Sequence, residues 1–171
     1  MIFLKALNAS DSQKEYDFFQ QMPFPDENGF VNDYANVSYE TFVSEVIPRH
    51  LNSAMGIGLK AGHVPDTYFF LWLDDTVIGL YKVRHYLNEG LRNGSGHIGY
   101  GILPAYRGKG YGAKGLALAI QECKQLMPEN EDEIYMSCLM SNPASLKVML
   151  KNGAYIHHQD DKEYYTRIKV R

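Results

Sequence analysis

The run Arg107-Gly108-Lys109-Gly110-Tyr111-Gly112 is the feature that most constrains what this chain can fold into. It joins an apolar stretch, His97–Leu103, to a helical pattern that runs from about Gly110 to Met127. Three glycines and two cations at a helix start point to an anion site. Glycine lets a ligand approach the main chain, and free N–H groups and the positive end of the helix dipole both favour negative charge. The same pattern dictates topology. A second apolar segment, Glu133–Leu139, follows the helix, and a strand–helix–strand crossover predicts that it runs parallel to the first strand.

The remaining elements follow from periodicity and punctuation. Met1–Leu7 predicts a strand, and Ser10 to Gln13 fits a capping box opening a helix over Tyr16, Phe19 and Met22. Ser38 predicts a second cap, ahead of the stripe Tyr39, Phe42, Val43, Val46 and Ile47, with a kink at Pro48. Thr67–Leu73 and Thr76–Tyr86 flank Asp74-Asp75 and predict an antiparallel hairpin. Asn142-Pro143 opens a short helix that Gly153 ends. Ala154–His158 and Glu163–Val170 predict the last two strands. The order β-α-α-β-β-β-α-β-α-β-β describes a mixed α/β sandwich.

A chain of 171 residues, 45% hydrophobic and 22% charged, is expected to form one domain over 1–171. Its net charge of −3 gives no general attraction to nucleic acid or to an anionic membrane. The N-terminus lacks a signal-peptide pattern, and no window reaches the length of a membrane span, so a cytoplasmic protein is expected. Cys123 and Cys138 fall at core positions of the long helix and of the strand after it, where they read as buried apolar residues. His157 and His158 lack thiol or carboxylate partners at ligand spacing, and adjacent strand residues point to opposite faces, so no metal is expected.

Several identities for the glycine turn are excluded. A dinucleotide fold needs an acidic residue near the end of the next parallel strand. That strand ends Cys138-Leu139-Met140-Ser141-Asn142, with no carboxylate. No P-loop pattern occurs in the chain.

Three segments together carry a resemblance. Arg107-Gly108-Lys109-Gly110-Tyr111-Gly112 fits the pattern [Gln/Arg]-x-x-Gly-x-[Gly/Ala]. Gly101-Ile102-Leu103-Pro104 precedes it, and Asn142-Pro143-Ala144-Ser145 with Lys151-Asn152-Gly153-Ala154 follows. At these places the chain resembles the GNAT superfamily of acetyl-CoA-dependent N-acetyltransferases, in a bacterial-type branch. The resemblance covers about residues 66–158. It implies a mostly antiparallel central sheet of about seven strands flanked by about four helices. The fourth and fifth strands splay apart to bind acetyl-CoA.

The resemblance also implies roles. The cofactor's pyrophosphate would rest on the backbone from Arg107 to Gly112, including Gly108, Lys109, Gly110 and Tyr111. Lys109 reads equally as a solvated loop lysine. The cofactor arm would pair with the strand end at Ile102 and Leu103, where Gly99 and Gly101 fit close approach, and would meet Asn142 and Ser145. A backbone N–H near Ile102 would stabilise a developing oxyanion. Relatives often place a glutamate where this chain has His97, which titrates near neutrality and is a candidate base, as well as a common structural residue. Glu89 and His85 are further candidates. Many relatives carry a tyrosine acid where this chain has Met149, which fits a core stripe with Leu146 and Leu150. Tyr100 and Tyr111 are then candidate acids. The implied reaction is acetyl transfer to a primary amine, on a small molecule or a peptide. The alternative is a non-catalytic domain that binds acetyl-CoA. The loops Phe24–Val37 and Asn88–Gly96 would shape the acceptor site. Asp26, Glu27 and Asp33 either meet a cationic substrate or belong to a solvated loop. A homodimer stays open.

Overall fold

The chain folds as two antiparallel sheets that diverge from one another, in a computed structural model described for residues 1–170. Arg171, the last residue of the expected domain, lies outside the described residues. The elements run β1 (Ile2–Ala6), α1 (Ser12–Gln21), α2 (Tyr39–Thr41), a π-turn (Phe42–Val46), α3 (Ile47–Ala54), β2 (Asp66–Leu73) and β3 (Thr76–Arg84). There follow α4 (Glu89–Arg92), β4 (Ile98–Ile102), α5 (Tyr111–Leu126), β5 (Glu133–Leu139), α6 (Pro143–Lys151), β6 (Tyr155–Gln159) and β7 (Glu163–Lys169). One sheet has the order β1-β2-β3-β4 and the other β5-β7-β6. The expected hairpin, long helix and asparagine-capped helix all form, with the cap at Asn142 accepting the Ser145 N–H at 3.1 Å.

The expected parallel pairing of β4 with β5 is replaced by one contact. Gly96 bridges Met136, and the His97 N–H donates to the Tyr135 carbonyl at 2.7 Å. Gly96 is required there: its φ is +66°, and a Cβ would overlap the Tyr135 carbonyl. Beyond this point the strands part. The phase of the β3–β4 ladder is set by two bonds, Arg84 N–H to the His97 carbonyl at 2.8 Å and Leu103 N–H to the Ile78 carbonyl at 2.9 Å. Alternation then turns the N–H groups of Tyr100 and Ile102 away from β3, into the gap.

The core has two parts, one on each face of the first sheet. Between the sheets, α5 buries Leu116, Ile120, Cys123 and Met127 against Tyr81, Ile98, Ile134 and Met136. On the other face, Phe18, Phe19, Phe42, Val46 and Ile47 pack on Phe70 and Leu80. Tyr81, fully buried, ties α5 to β3. Its hydroxyl donates to the Gly112 carbonyl at 2.8 Å, and Gly115 is a glycine because a Cβ would overlap that hydroxyl.

Four local readings change. The cap is Asn8 rather than Ser10, and it opens a 3-10 turn (Ala9–Asp11) that leads into α1: Asn8 Oδ1 accepts the Asp11 N–H at 3.1 Å, and buried Glu15 accepts the Asn8 N–H at 3.1 Å. The reciprocal cap therefore lies two residues upstream of the predicted one, because Asn8 is the residue still extended (φ −154°). At Pro48 the helix continues, the ring's missing N–H being accommodated by the π-turn ahead of it. Leu150 is exposed, while Met149 is buried and its sulfur accepts from Thr166 Oγ1 at 3.2 Å. A bulge between Ile156 and His158 brings the His157 and His158 Nδ1 atoms to 2.8 Å, so these rings are neighbours instead of opposed.

Burial and the nearby Asp11 charge raise the Glu15 pKa to about 8, against the opposing Asn8 hydrogen bond. The folded state thus holds a proton that the unfolded chain releases above about pH 4. Stability from this group is complete below that pH and is lost as pH rises towards about 8. Denaturant titrations should show wild-type stability falling across this interval by a few kcal/mol, on the order set by the shift. Glu15→Gln should flatten that slope. Tyr81→Phe should cost about 1 kcal/mol at any pH, from the lost hydrogen bond to the Gly112 carbonyl.

Candidate functional site

Two cavities open where β4 and β5 part. The first, about 480 Å³, is bounded by the glycine turn, the start of α5 and one face of α6. The second, about 430 Å³, lies toward β3, β7 and the Phe24–Val37 loop. Both are lined by Asn28, Phe30, Tyr100, Asn142 and Ser145. These five residues form a shared wall, and groups entering from either side would meet at it.

The first cavity has the features of an anion site. Gly108 and Gly110 line it, with φ +72° and +83°, and a Cβ at either would meet nothing within 4 Å. Gly110 is the N-cap of α5 and has no side chain to cap the helix, so the first N–H groups of α5 lack a side-chain acceptor. An extended anion with an apolar arm fits this cradle: amides at one end, Ile102 and Val148 along the wall. Lys147 and Lys151, one turn apart on α6, line the same cavity. The sequence reading missed them, although their spacing on a helix that faces the turn was the available signal.

The sequence-predicted residues divide. Ile102, Arg107, Gly108, Gly110, Gly112, Asn142 and Ser145 line the first cavity. Leu103 does not; it is buried in the core on the far face of the sheet, and its N–H is used by Ile78. Tyr111 packs near Tyr106, with ring centroids 6.3 Å apart. Lys109 turns away and donates to the Ala105 carbonyl at 2.8 Å. The Arg107 guanidinium is also committed. Nη2 pairs with Asp26 at 2.7 Å, Nη1 with Glu27 at 3.2 Å, and Nε donates to the Ile102 carbonyl at 2.9 Å. Asp26 and Glu27 therefore clip the loop to the glycine turn and are not free for a cationic substrate. A Cβ on Gly101, which lines the first cavity, would overlap Phe30 and Met22, whereas Gly99 has open space and lines the second cavity.

Among the proposed catalytic side chains, Tyr100 stands at the shared wall. Its ring stacks on Tyr81 with centroids 5.2 Å apart, and its hydroxyl is 2.8 Å from Ser145 Oγ. Burial pushes its pKa up to about 12, partly offset by Ser145, so the hydroxyl keeps its proton. His97 lines neither cavity. It is fully buried where the sheets touch, with Nδ1 accepting the Tyr135 N–H at 3.0 Å and Nε2 unpartnered. Burial drives its pKa down to about 4. The strand start placed it in the hinge of the two sheets, away from the gap. Glu89 is exposed at the start of α4, and His85 bonds to Thr67 Oγ1 at 2.8 Å; neither lines a cavity. Cys138 is buried at the gap, and burial raises its pKa to about 11.

Among the described residues, no helix is long and apolar enough to cross a membrane. Truncating Arg107 to alanine should strip the buried Asp26 carboxylate of its cation. The expected cost is about 3 kcal/mol in denaturant unfolding, with Arg107→Lys losing less.

The chain matches the family described as "Acetyltransferase (GNAT) domain" over residues 31–155. No curated protein sequence matches it. Among solved structures it is similar to a ribosomal-protein-S5-alanine acetyltransferase from Vibrio fischeri. The TM-score is 0.70 at 15% identity, covering 98% of this chain and 92% of that one. It is also similar to the microcin C7 self immunity acetyltransferase MccE, solved in complex with acetyl-CoA and AMP. That match has a TM-score of 0.68 at 14% identity, covering 99% and 92%. A spermidine N-acetyltransferase SpeG chimera from Vibrio cholerae and hSSAT gives 0.63 at 16% identity, covering 98% and 95%. At these identities the likeness is one of fold.

Proposed function

The chain belongs to the GNAT family of acetyltransferases, and from that premise we propose that it transfers an acetyl group from acetyl-CoA to a primary amine by direct attack. The observation that carries this reading is the pair of cavities sharing one wall at Asn28, Phe30, Tyr100, Asn142 and Ser145. A two-substrate transfer without a covalent enzyme intermediate needs two entrances and one meeting place.

Acetyl-CoA supplies an activated thioester carbonyl and a thiol leaving group. The residues of the first cavity suit its other parts. The amides at Gly108–Gly112 and the start of α5 suit the pyrophosphate, and Lys147 and Lys151 add positive charge beside it. The outward N–H groups of Tyr100 and Ile102 are unused by β3 and face the gap, where an oxyanion would develop. Asn142 serves as helix cap through Oδ1, and its Nδ2 remains near the loop, 3.5 Å from the Asn28 carbonyl.

Tyr100 acts as the hydrogen-bond donor to the departing sulfur. Its raised pKa keeps the hydroxyl protonated, so it assists by donating a hydrogen bond to the developing thiolate, at the wall that Met149, buried in the core, does not line. An ordinary thiol pKa is about 8.5, so the assistance required is moderate. Removal of the proton from the acceptor ammonium falls to carboxylates of the second cavity, Asp33 and Glu163, through water.

Thiol release from acetyl-CoA over a panel of amines tests the reading, with calorimetry of coenzyme A binding alongside. Saturable binding with no turnover on any amine would favour the non-catalytic alternative; absence of binding would remove both. Gly110→Val places a branched side chain at φ +83° in the cradle and should weaken coenzyme A binding about tenfold or more. Tyr100→Phe should lower kcat about tenfold while leaving the KM for acetyl-CoA within about twofold, the signature of a hydrogen bond made in the transition state.

A further inference from the structure

The second cavity carries charge of both signs, and its charges are unevenly matched. Lys82 and Arg84 line it from β3, and Asp33 and Glu163 line it from the loop and β7. Lys82 has a carboxylate partner, Asp66 Oδ2 at 3.2 Å. Arg84 has none within 4.0 Å among the described residues. Its guanidinium makes one hydrogen bond, Nη1 donating to the Gly96 carbonyl at 2.9 Å. Nε and Nη2 are left uncommitted, and these two donors have the spacing of the two oxygens of a carboxylate. Burial disfavours the charged form of Arg84, with Asp66 acting in the opposite sense. A partly desolvated cation without an anion is costly, and a ligand carboxylate would relieve that cost. On the other side, Glu163 accepts from Ser137 Oγ and from the Tyr165 hydroxyl, each at 3.3 Å, and pairs with no cation among the described residues. Asp33 likewise enters no ion pair among the described residues.

We propose that the acceptor is an amine that also carries a carboxylate, with the carboxylate held by Arg84 and the ammonium drawn toward Asp33 and Glu163. This rests on the acyl-transfer reading of the site and names its substrate class. The strand register sets the length. Tyr81 lies opposite Tyr100, and Arg84 opposite His97. Three residues of strand separate the two positions, about 10 Å. An α-amino acid acetylated at its α-amine holds its two charges much closer than that. The acceptor therefore has its reacting amine several bonds from the carboxylate, as in an ω-amino acid or the ε-amine of free lysine.

Calorimetric titration of ω-amino acids from glycine to aminooctanoate, each against the alkylamine of matching length, tests this with and without coenzyme A. The longer ω-amino acids should bind about tenfold or more tightly than their alkylamines, and glycine should show no such advantage. Arg84→Met should abolish the difference. Arg84→Glu should reverse it, so that diaminoalkanes bind better than ω-amino acids. Coenzyme A affinity in the same titrations reports that each variant is folded. Equal binding of ω-amino acids and alkylamines to the wild type overturns the proposal, as does a preference that survives Arg84→Met. Failure of the wild type to bind coenzyme A would count against acyl transfer, while the comparisons made without coenzyme A would still decide the acceptor's chemistry.

Discussion

The Tyr81 hydroxyl bond to the Gly112 carbonyl is the contact on which the arrangement of the site depends. It joins the middle of β3 to the first turn of α5 through a side chain with no exposure. The helix start, and with it the row of uncapped amides, is therefore held at a fixed height above the sheet. The same ring stacks on Tyr100, whose hydroxyl reaches Ser145 on α6. One aromatic pair thus connects the glycine turn, the free edge of β4 and the helix after β5. Gly115 permits this by leaving room for the hydroxyl.

The second constraint is an unpaired strand edge inside the molecule. Backbone N–H groups away from water need partners, and β5 does not provide them beyond the Gly96–Met136 bridge. The N–H groups of Tyr100 and Ile102 are left facing the gap. In an ordinary sheet this edge would be closed by the neighbouring strand. Here the crossover through α5 carries β5 into a separate sheet with β7 and β6. The gap that results is both the route between the cavities and the source of unspent hydrogen-bonding capacity. Closure at one end falls to His97, whose imidazole nitrogen takes the Tyr135 N–H. A histidine that resembles a base in the sequence is, in the fold, part of the hinge.

The loop Phe24–Val37 shows how charge is redistributed by folding. Its acids were candidates for a cationic substrate. Asp26 and Glu27 are instead bound to Arg107, which draws the loop over the glycine turn, while Phe30 fills the space left by Gly101. The cavity that remains is lined by Arg84, Asp33 and Glu163, which enter no ion pair among the described residues, so its polarity is mixed and not simply acidic.

The sequence by itself determined what depends on local chemistry. The hairpin at Asp74-Asp75, the helix opened by Gly110, the cap at Asn142 and the buried stripe of Leu116, Ile120, Cys123 and Met127 follow from spacing and from backbone preferences that act within a few residues. So does the open glycine turn, because Gly108 and Gly110 express their conformational freedom locally. Only the tertiary structure decided which charged and titratable groups face the gap. Lys109 lies within the motif and His97 ten residues before it, and neither lines a cavity described above. Lys147, Lys151, Arg84 and Glu163 lie far from it in sequence and line the cavities. The physical reason is that a cavity between diverging sheets is assembled by long-range packing. Its lining depends on where β5, β7 and α6 sit relative to β4, and the spacing of residues along the chain does not encode that relation.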